Sequence, residues 1–280
     1  MCRLIFIMVM ASLLAACSGN PRNGGQASRD NVAPEGCLTR GIGEWEATWI
    51  RDVDTRQSPE IFADAPEGLI DSLGLSEGVP SSISVFLLRK GDTCMLFDAG
   101  LGGKESRMLP LLDSLGVRAN DIKYLFLTHL HNDHIGGMLS GDTVVFPNAE
   151  VFVAKKEYDG WMNMPDDKKA KAETTLEAYA DRLRLFEFGD TLPEGVVAID
   201  ASGHTPGHTV YKAGNLLVVG DLMHGVALQL RHPDICAAYD MDKPAAVESR
   251  VRILKLAGQE GLVMAGMHFP EPGFLSADGQ

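Results

Sequence analysis

The passage from Ile122 to His134 constrains this chain more than any other stretch. Ile122 to Leu127 is a nearly continuous apolar run, the signature of a strand buried on both faces. It opens directly into Thr128-His129-Leu130-His131-Asn132-Asp133-His134. Three of the eight histidines and one aspartate therefore fall within six residues. Side chains of an extended backbone alternate, so His129 and His131 share a side. Asp133 and His134 come where the chain turns toward Gly136-Gly137, and can face a second centre nearby. Zinc, iron and manganese all accept imidazole nitrogen and carboxylate oxygen. An isolated histidine usually makes only surface hydrogen bonds, whereas four potential ligands after a buried strand point to a metal site.

The rest of the pattern repeats this placement. Ser82–Arg89 and Thr93–Asp98 read as strands joined by the hairpin signal Lys90-Gly91-Asp92. Met108–Leu115 reads as a short amphipathic helix ended by Gly116. Val151–Ala154, Val196–Ile199, Thr209–Lys212, Leu216–Val219 and Leu262–Ala265 read as further strands. Lys168–Leu185 reads as a helix with a charged outer face. Lys243–Gln259 reads as a longer one with Val247, Val251, Ile253 and Leu254 inward. Asp98, His129, His204, Asp221 and His268 each lie just past a strand end, where a rigid sheet can aim them into one site. Strands and helices mix without strict βαβ alternation, so the expected class is α+β, with helices covering packed sheets.

Composition sets the outer bounds. With 280 residues, 45% of them hydrophobic, one large domain with a sizeable core is expected over residues 39–280. The formal charge of −13 argues against nucleic acid as a partner, because phosphate binding needs a basic face and the sequence shows none. Arg3, the apolar run Leu4–Leu14 and the small residues after it have the three parts of a secretory signal, residues 1–17. The ending Leu14-Ala15-Ala16-Cys17 resembles the lipobox of bacterial lipoproteins. That resemblance implies a lipidated Cys17 and a membrane-anchored, non-cytoplasmic protein of the bacterial cell envelope. Residues 18–38, rich in Ser, Gly, Asn and Pro, read as a flexible tether. Cys37, Cys94 and Cys236 show no metal-type spacing; export permits a disulfide among them, and burial as small apolar side chains is the favoured reading.

Beyond the first cluster stand Gly203-His204-Thr205-Pro206-Gly207-His208, Gly220-Asp221 and Gly266-Met267-His268, with Asp98-Ala99-Gly100 ahead of them all. In content and order these five motifs resemble the metallo-β-lactamase superfamily over about residues 40 to 275. The resemblance implies a four-layer αββα sandwich with two metal ions at one edge of its sheets, zinc being the expected metal. By the family pattern His129, His131 and His204 hold one ion, Asp133, His134 and His268 the other, and Asp221 bridges them. Asp98 and His208 are expected to support ligands rather than to be ligands.

Aspartate at position 221 resembles the lactonase, phosphotriesterase and glyoxalase II branches rather than true β-lactamases, many of which carry cysteine or serine there. The stretches Gly220–His224, Phe146–Ala149 and Ala238–Asp242 resemble methyl parathion hydrolase and related lactonases. The resemblance implies a binuclear hydrolase acting on a small-molecule lactone or related ester, with Asp133 moving a proton toward the leaving group. His224 stands where acyl-homoserine-lactone lactonases carry tyrosine. Its readings are a hydrogen-bond donor to substrate and a satisfied loop histidine. Glu157–Lys171, with Trp161, Met162 and Met164, is a candidate substrate wall. The alternatives are a phosphotriesterase, a thiolesterase of the glyoxalase II kind and a non-catalytic binding lipoprotein.

Overall fold

The computed structural model describes residues 34–276. The expected signal segment, Cys17 and the tether up to residue 33 lie outside the described residues. The chain opens with the long antiparallel ribbon of β1 (Cys37–Ile42), β2 (Trp45–Gln57) and β3 (Val79–Lys90), with the short α1 (Leu69–Ser72) in the β2–β3 connection. Cys37 and Leu38, grouped with the tether from composition, already pair with β2.

Lys90-Gly91-Asp92 turns the chain into β4 (Thr93–Phe97), and α2 (Met108–Ser114) leads to β5 (Ile122–Phe126). Next come α3 (Asn132–Ile135) and a small hairpin of β6 (Leu139–Ser140) and β7 (Thr143–Val144). β8 (Glu150–Ala154), α4 (Lys155–Met162), α5 (Asp166–Ala178) and β9 (Leu183–Phe186) complete the first half. Its seven-stranded sheet has the order β1-β2-β3-β4-β5-β8-β9. The helix expected over Lys168–Leu185 thus stops at Ala178. Parallel pairing with β8, from Val151↔Leu183 to Ala154↔Phe186, draws the last residues into the sheet.

The second sheet has the order β10-β11-β12-β13-β14 and holds β10 (Val197–Asp200), β11 (Thr209–Ala213), β12 (Leu216–Gly220), β13 (Val263–Gly266) and β14 (Phe274–Ser276). Between β12 and β13 run α6 (Val226–Gln229) and α7 (Lys243–Glu260). Asp242 caps α7 by accepting from Ala245 N, Pro244 fits its first turn, and Gly261 ends it at φ 63°. Its inward stripe is Ala246, Ser249, Arg250, Ile253 and Ala257, while the expected inward Val251 is exposed. A buried arginine in the stripe is what hid its register from apolar periodicity.

Alternation along the strands assigns the layers. Phe86, Leu88, Met95, Phe97, Phe126 and Phe152 face Tyr211, Leu216, Val218 and Ala265 between the two sheets. The intervening Val85, Leu87, Leu96, Leu125 and Val151 pack outward with residues of α2 and α5. On the other sheet Val210, Leu217, Val219 and Met264 pack outward with Ile253 and Ala257 of α7. Helices, sheet, sheet and helix therefore form the four layers expected of the αββα class. Each fully buried Phe or Leu contributes on the order of 1.5–3 kcal/mol, so both sheets are stiff platforms for whatever their strand ends carry. Cys37, Cys94 and Cys236 are free thiols, two of them buried. No helix among the described residues is long and apolar enough to cross a membrane.

Candidate metal centre

Two parallel strand ends of the first half and two of the second supply most of the site. Asp98 follows β4, His129 follows β5, Asp221 follows β12 and His268 follows β13, while His204 sits in the loop from β10 to β11. Asp133 and His134 lie in α3, whose first turn continues the loop from β5. All seven residues expected as ligands converge around the Asp221 carboxylate. Potential ligand atoms of His129, His131, His204 and Asp221 lie within 4.8 Å of one another, and those of Asp133, His134 and His268 form a second such group.

Hydrogen bonds on the far side of each ring decide what faces inward. His268 Nδ1 donates to the Ser82 carbonyl at 2.8 Å, so its Nε2 faces Asp221 Oδ2 at 3.0 Å. His134 Nδ1 donates to Asp98 Oδ2 at 2.6 Å and turns Nε2 to within 3.0 Å of Asp221 Oδ1. Thr128 gives its amide and its hydroxyl to the two Asp98 oxygens, both at 2.7 Å. That leaves the Thr128 oxygen to accept from His129 Nδ1 at 3.0 Å. His204 Nδ1 donates to Asp240 Oδ1, also at 3.0 Å. Four imidazoles thus present Nε2 to the centre because their Nδ1 protons are spoken for.

His131 presents Nδ1, 3.0 Å from both His129 Nε2 and His204 Nε2. Lone pairs facing one another at this spacing repel, and a proton or a metal cation between them relieves the repulsion. His134 Nε2 and Asp221 Oδ1 are also buried with no hydrogen-bond partner. Nitrogen and carboxylate donors 3.0–3.6 Å apart in the first group and 3.5–3.8 Å apart in the second fit one small divalent ion per group. The donor set therefore fits two metal ions.

Electrostatics follow the same geometry. Burial alone lowers His204, but its hydrogen bonds to the Asp221 and Asp240 carboxylates outweigh it and lift its pKa to about 9. Burial and the neighbouring His204 hold His131 down at about 3. Asp98 keeps its place at a cost, since its φ of 58° lies in the left-handed region, worth about 1 kcal/mol or more for a non-glycine residue.

His208 is not among the converging atoms. Its Nδ1 donates to Ala201 O at 3.3 Å and its Nε2 accepts the Asp221 amide at 3.0 Å, so it holds the backbone of Asp221. Gly220 makes that approach possible: at φ 53°, a Cβ there would lie 2.5 Å from His208 Nε2. His224 does join the centre, with Nε2 3.3 Å from Asp221 Oδ2 and its ring stacked on His268 at 4.9 Å. Its Nδ1 is buried without a hydrogen-bond partner.

A cavity of about 400 Å³ opens over the centre, with Thr55, Gln57, Ile83 and Tyr239 as its other walls. The wall expected from Glu157–Lys171 is not there: Glu157 and Trp161 are buried beneath the ligand loops instead. The sequence reading placed Glu157 only at the edge of that wall and gave no role to Asp240 or Arg250. Each is a charged residue that is almost wholly buried, a property visible only once the fold is known.

The metallo-β-lactamase superfamily model matches residues 78–268, the span that carries every one of these ligands. The chain belongs to the metallo-β-lactamase superfamily. Within it, an N-acyl homoserine lactonase of a Bacillus species is 28% identical over 186 residues, 66% of this chain and 65% of that one. A hydroxyacylglutathione hydrolase of Methylobacillus flagellatus is 28% identical over 116 residues, 41% of this chain and 40% of its own length. The chain spans between 34% and 65% of the length of the first curated relatives it matches. Among solved structures, the dizinc quorum-quenching lactonase AidC, in complex with a product, superposes with a TM-score of 0.78 and 28% identity, over 86% of this chain and 93% of that one. The hydrolase AbOPH gives a TM-score of 0.77 at 28% identity, over 86% and 92%.

Proposed function

We propose that this member of the superfamily is a binuclear metal-dependent hydrolase of lactones or related esters, with zinc as its metal. The observation that carries the reading is the convergence of five histidines and two aspartates on one point beneath an open cavity. His129, His131 and His204 would hold one ion, Asp133, His134 and His268 the other, and Asp221 both. Two divalent ions held there would lower the pKa of a bound water toward neutrality and would supply positive charge for the developing oxyanion.

The residues do the rest. Asp133 is partly exposed at the cavity floor, where its carboxylate can carry a proton to the leaving oxygen. His224 borders the same cavity and can donate its Nε2 proton to Asp221, steadying the shared carboxylate. Ile83 and Tyr239 give an apolar surface beside the polar Thr55 and Gln57, which suits a substrate with a polar reacting group and an apolar tail. The likeness to AidC supports a lactone and supports zinc.

The test is kcat/KM of the metal-loaded protein for an acyl-homoserine lactone beside an aryl phosphotriester. A lactone preference of a hundredfold, about 2.7 kcal/mol of differential transition-state stabilisation, is the expected result. Turnover of neither substrate with two metals bound would overturn the substrate and leave the metal reading standing.

The Leu14–Cys17 motif supports a second proposal, that the domain is lipid-anchored to a membrane of the cell envelope on its non-cytoplasmic side. Metabolic labelling with palmitate, lost in Cys17→Ala, tests it.

A further inference from the structure

Glu157 is a carboxylate that is 1% exposed, carries no facing cation and accepts four hydrogen bonds. Oε1 takes the Leu130 amide at 3.0 Å and the Trp161 indole at 2.6 Å. Oε2 takes the Thr205 hydroxyl at 2.8 Å and the Gly207 amide at 2.7 Å. Isolated buried carboxylates are costly, and this one persists because every oxygen is saturated with donors.

The donors are not scattered. Leu130 lies between His129 and His131, and Thr205 directly follows His204. Each of the three histidines of one ligand group is therefore one residue from a group bound to Glu157. Trp161 closes the arrangement, since its ring meets that of His131 edge-on at 5.5 Å. Gly207 allows the contact, because a Cβ there would sit 2.3 Å from Glu157 N. No hydrogen bond joins Glu157 to Asp133, His134 or His268, whose other ties run to Asp98 and the Ser82 carbonyl.

We propose that Glu157 is a positioning residue that sets metal affinity at the His129–His131–His204 group separately from the Asp133–His134–His268 group. It clamps the loop after β5 to the loop before β11, two segments that meet only in the folded protein. Their relative position fixes the spacing of the three nitrogens, and an ion feels a misplacement of a few tenths of an ångström. The inference rests on the binuclear reading above.

Glu157→Gln keeps the shape and removes one acceptor. Its amide nitrogen would face either Leu130 and Trp161, both N–H donors, or Gly207 N and Thr205, whose hydroxyl can turn to accept. The second orientation leaves only Gly207 unmet, so the strain falls beside His204.

The experiment titrates the metal-free protein with Co²⁺ against a competing chelator, counting equivalents and following tryptophan emission. The equivalent that quenches Trp161, against His131, belongs to the three-histidine group. In Glu157→Gln that equivalent is expected to bind 10- to 100-fold more weakly, while the other changes less than threefold. Thr205→Val removes one donor and keeps the carboxylate, so a smaller loss at the same equivalent is expected even if Glu157→Gln does not fold. Unchanged affinities in a folded Glu157→Gln protein, or equal weakening of both equivalents in either variant, overturn the role of Glu157. A wild type that takes up fewer than two equivalents overturns the binuclear reading instead.

Discussion

One oxygen of Asp240 accepts the Nδ1 proton of His204 at 3.0 Å, and the other is held by the Arg250 guanidinium at 3.1 Å. Arg250 also donates to the carbonyls of Leu222, Pro233 and Ile235, so one side chain of α7 secures a ligand histidine and the loop after Asp221. Removing one partner of such a buried pair leaves a charge unpaired and costs about 3–5 kcal/mol. Arg250→Ala is therefore expected to lower Tm by about 10 °C, read by calorimetry. Asp240→Asn should weaken metal binding by roughly tenfold or more. A Tm unchanged in Arg250→Ala would show that the pair contributes nothing net.

Among the described residues, Asp221 is the one carboxylate within reach of both ligand groups. Asp221→Ala is expected to retain at most one metal equivalent and to lose kcat/KM by about a thousandfold or more. Metal analysis after gel filtration and a lactone assay read the two effects. Two retained ions with wild-type turnover would remove Asp221 from the bridging position.

His224→Phe keeps an aromatic ring against His268 and deletes the proton facing Asp221. Both metals should stay bound while kcat falls about ten- to a hundredfold. If kcat is unchanged, His224 has no part in the reaction and is a packed loop residue.

Burial raises the Cys37 thiol to about 11, only partly opposed by the charge of Arg107. The thiolate is the reactive form, so little of it exists at pH 8 and its share grows about tenfold per unit toward pH 11. Alkylation of the native protein by iodoacetamide should follow that slope at Cys37, with peptide mapping as the readout. Rapid labelling at pH 7 would show the thiol to be more open than its packing implies.

Loss of metal by chelation should be reversible. A chelator that strips the metals leaves His129, His131, His134, His204 and His268 facing one another. The expected result is a fall in Tm of several degrees, restored by adding one divalent metal back.

The ligands were legible because their chemistry is concentrated: six residues hold four of them, and each remaining one follows an apolar strand. The supporting groups were not. Asp240 lies 36 residues from His204, and Glu157 is 48 from Thr205, so their pairing is a product of topology. A lone acid in sequence reads as solvated surface, and only burial reveals otherwise. The same holds for β2, whose Thr48, Arg51 and Asp52 interrupt the apolar alternation. Asp52 is buried as a cap for the turn before α2, accepting from Leu101, Arg107 and Met108 amides. Lys168–Leu185 failed as one helix because pairing with β8 competes with helix propensity at its end.

Thr55, Gln57 and Ile83 stand on the β2–β3 ladder, which carries no ligand side chain and meets the centre only around His268, through the Ser82 carbonyl and the Ser81 and Ser82 hydroxyls. What the cavity admits and what the centre holds are thus written on different parts of the chain. Mutation can recut the entrance, residue by residue, without disturbing the ions, which gives this scaffold a short route from one substrate to the next.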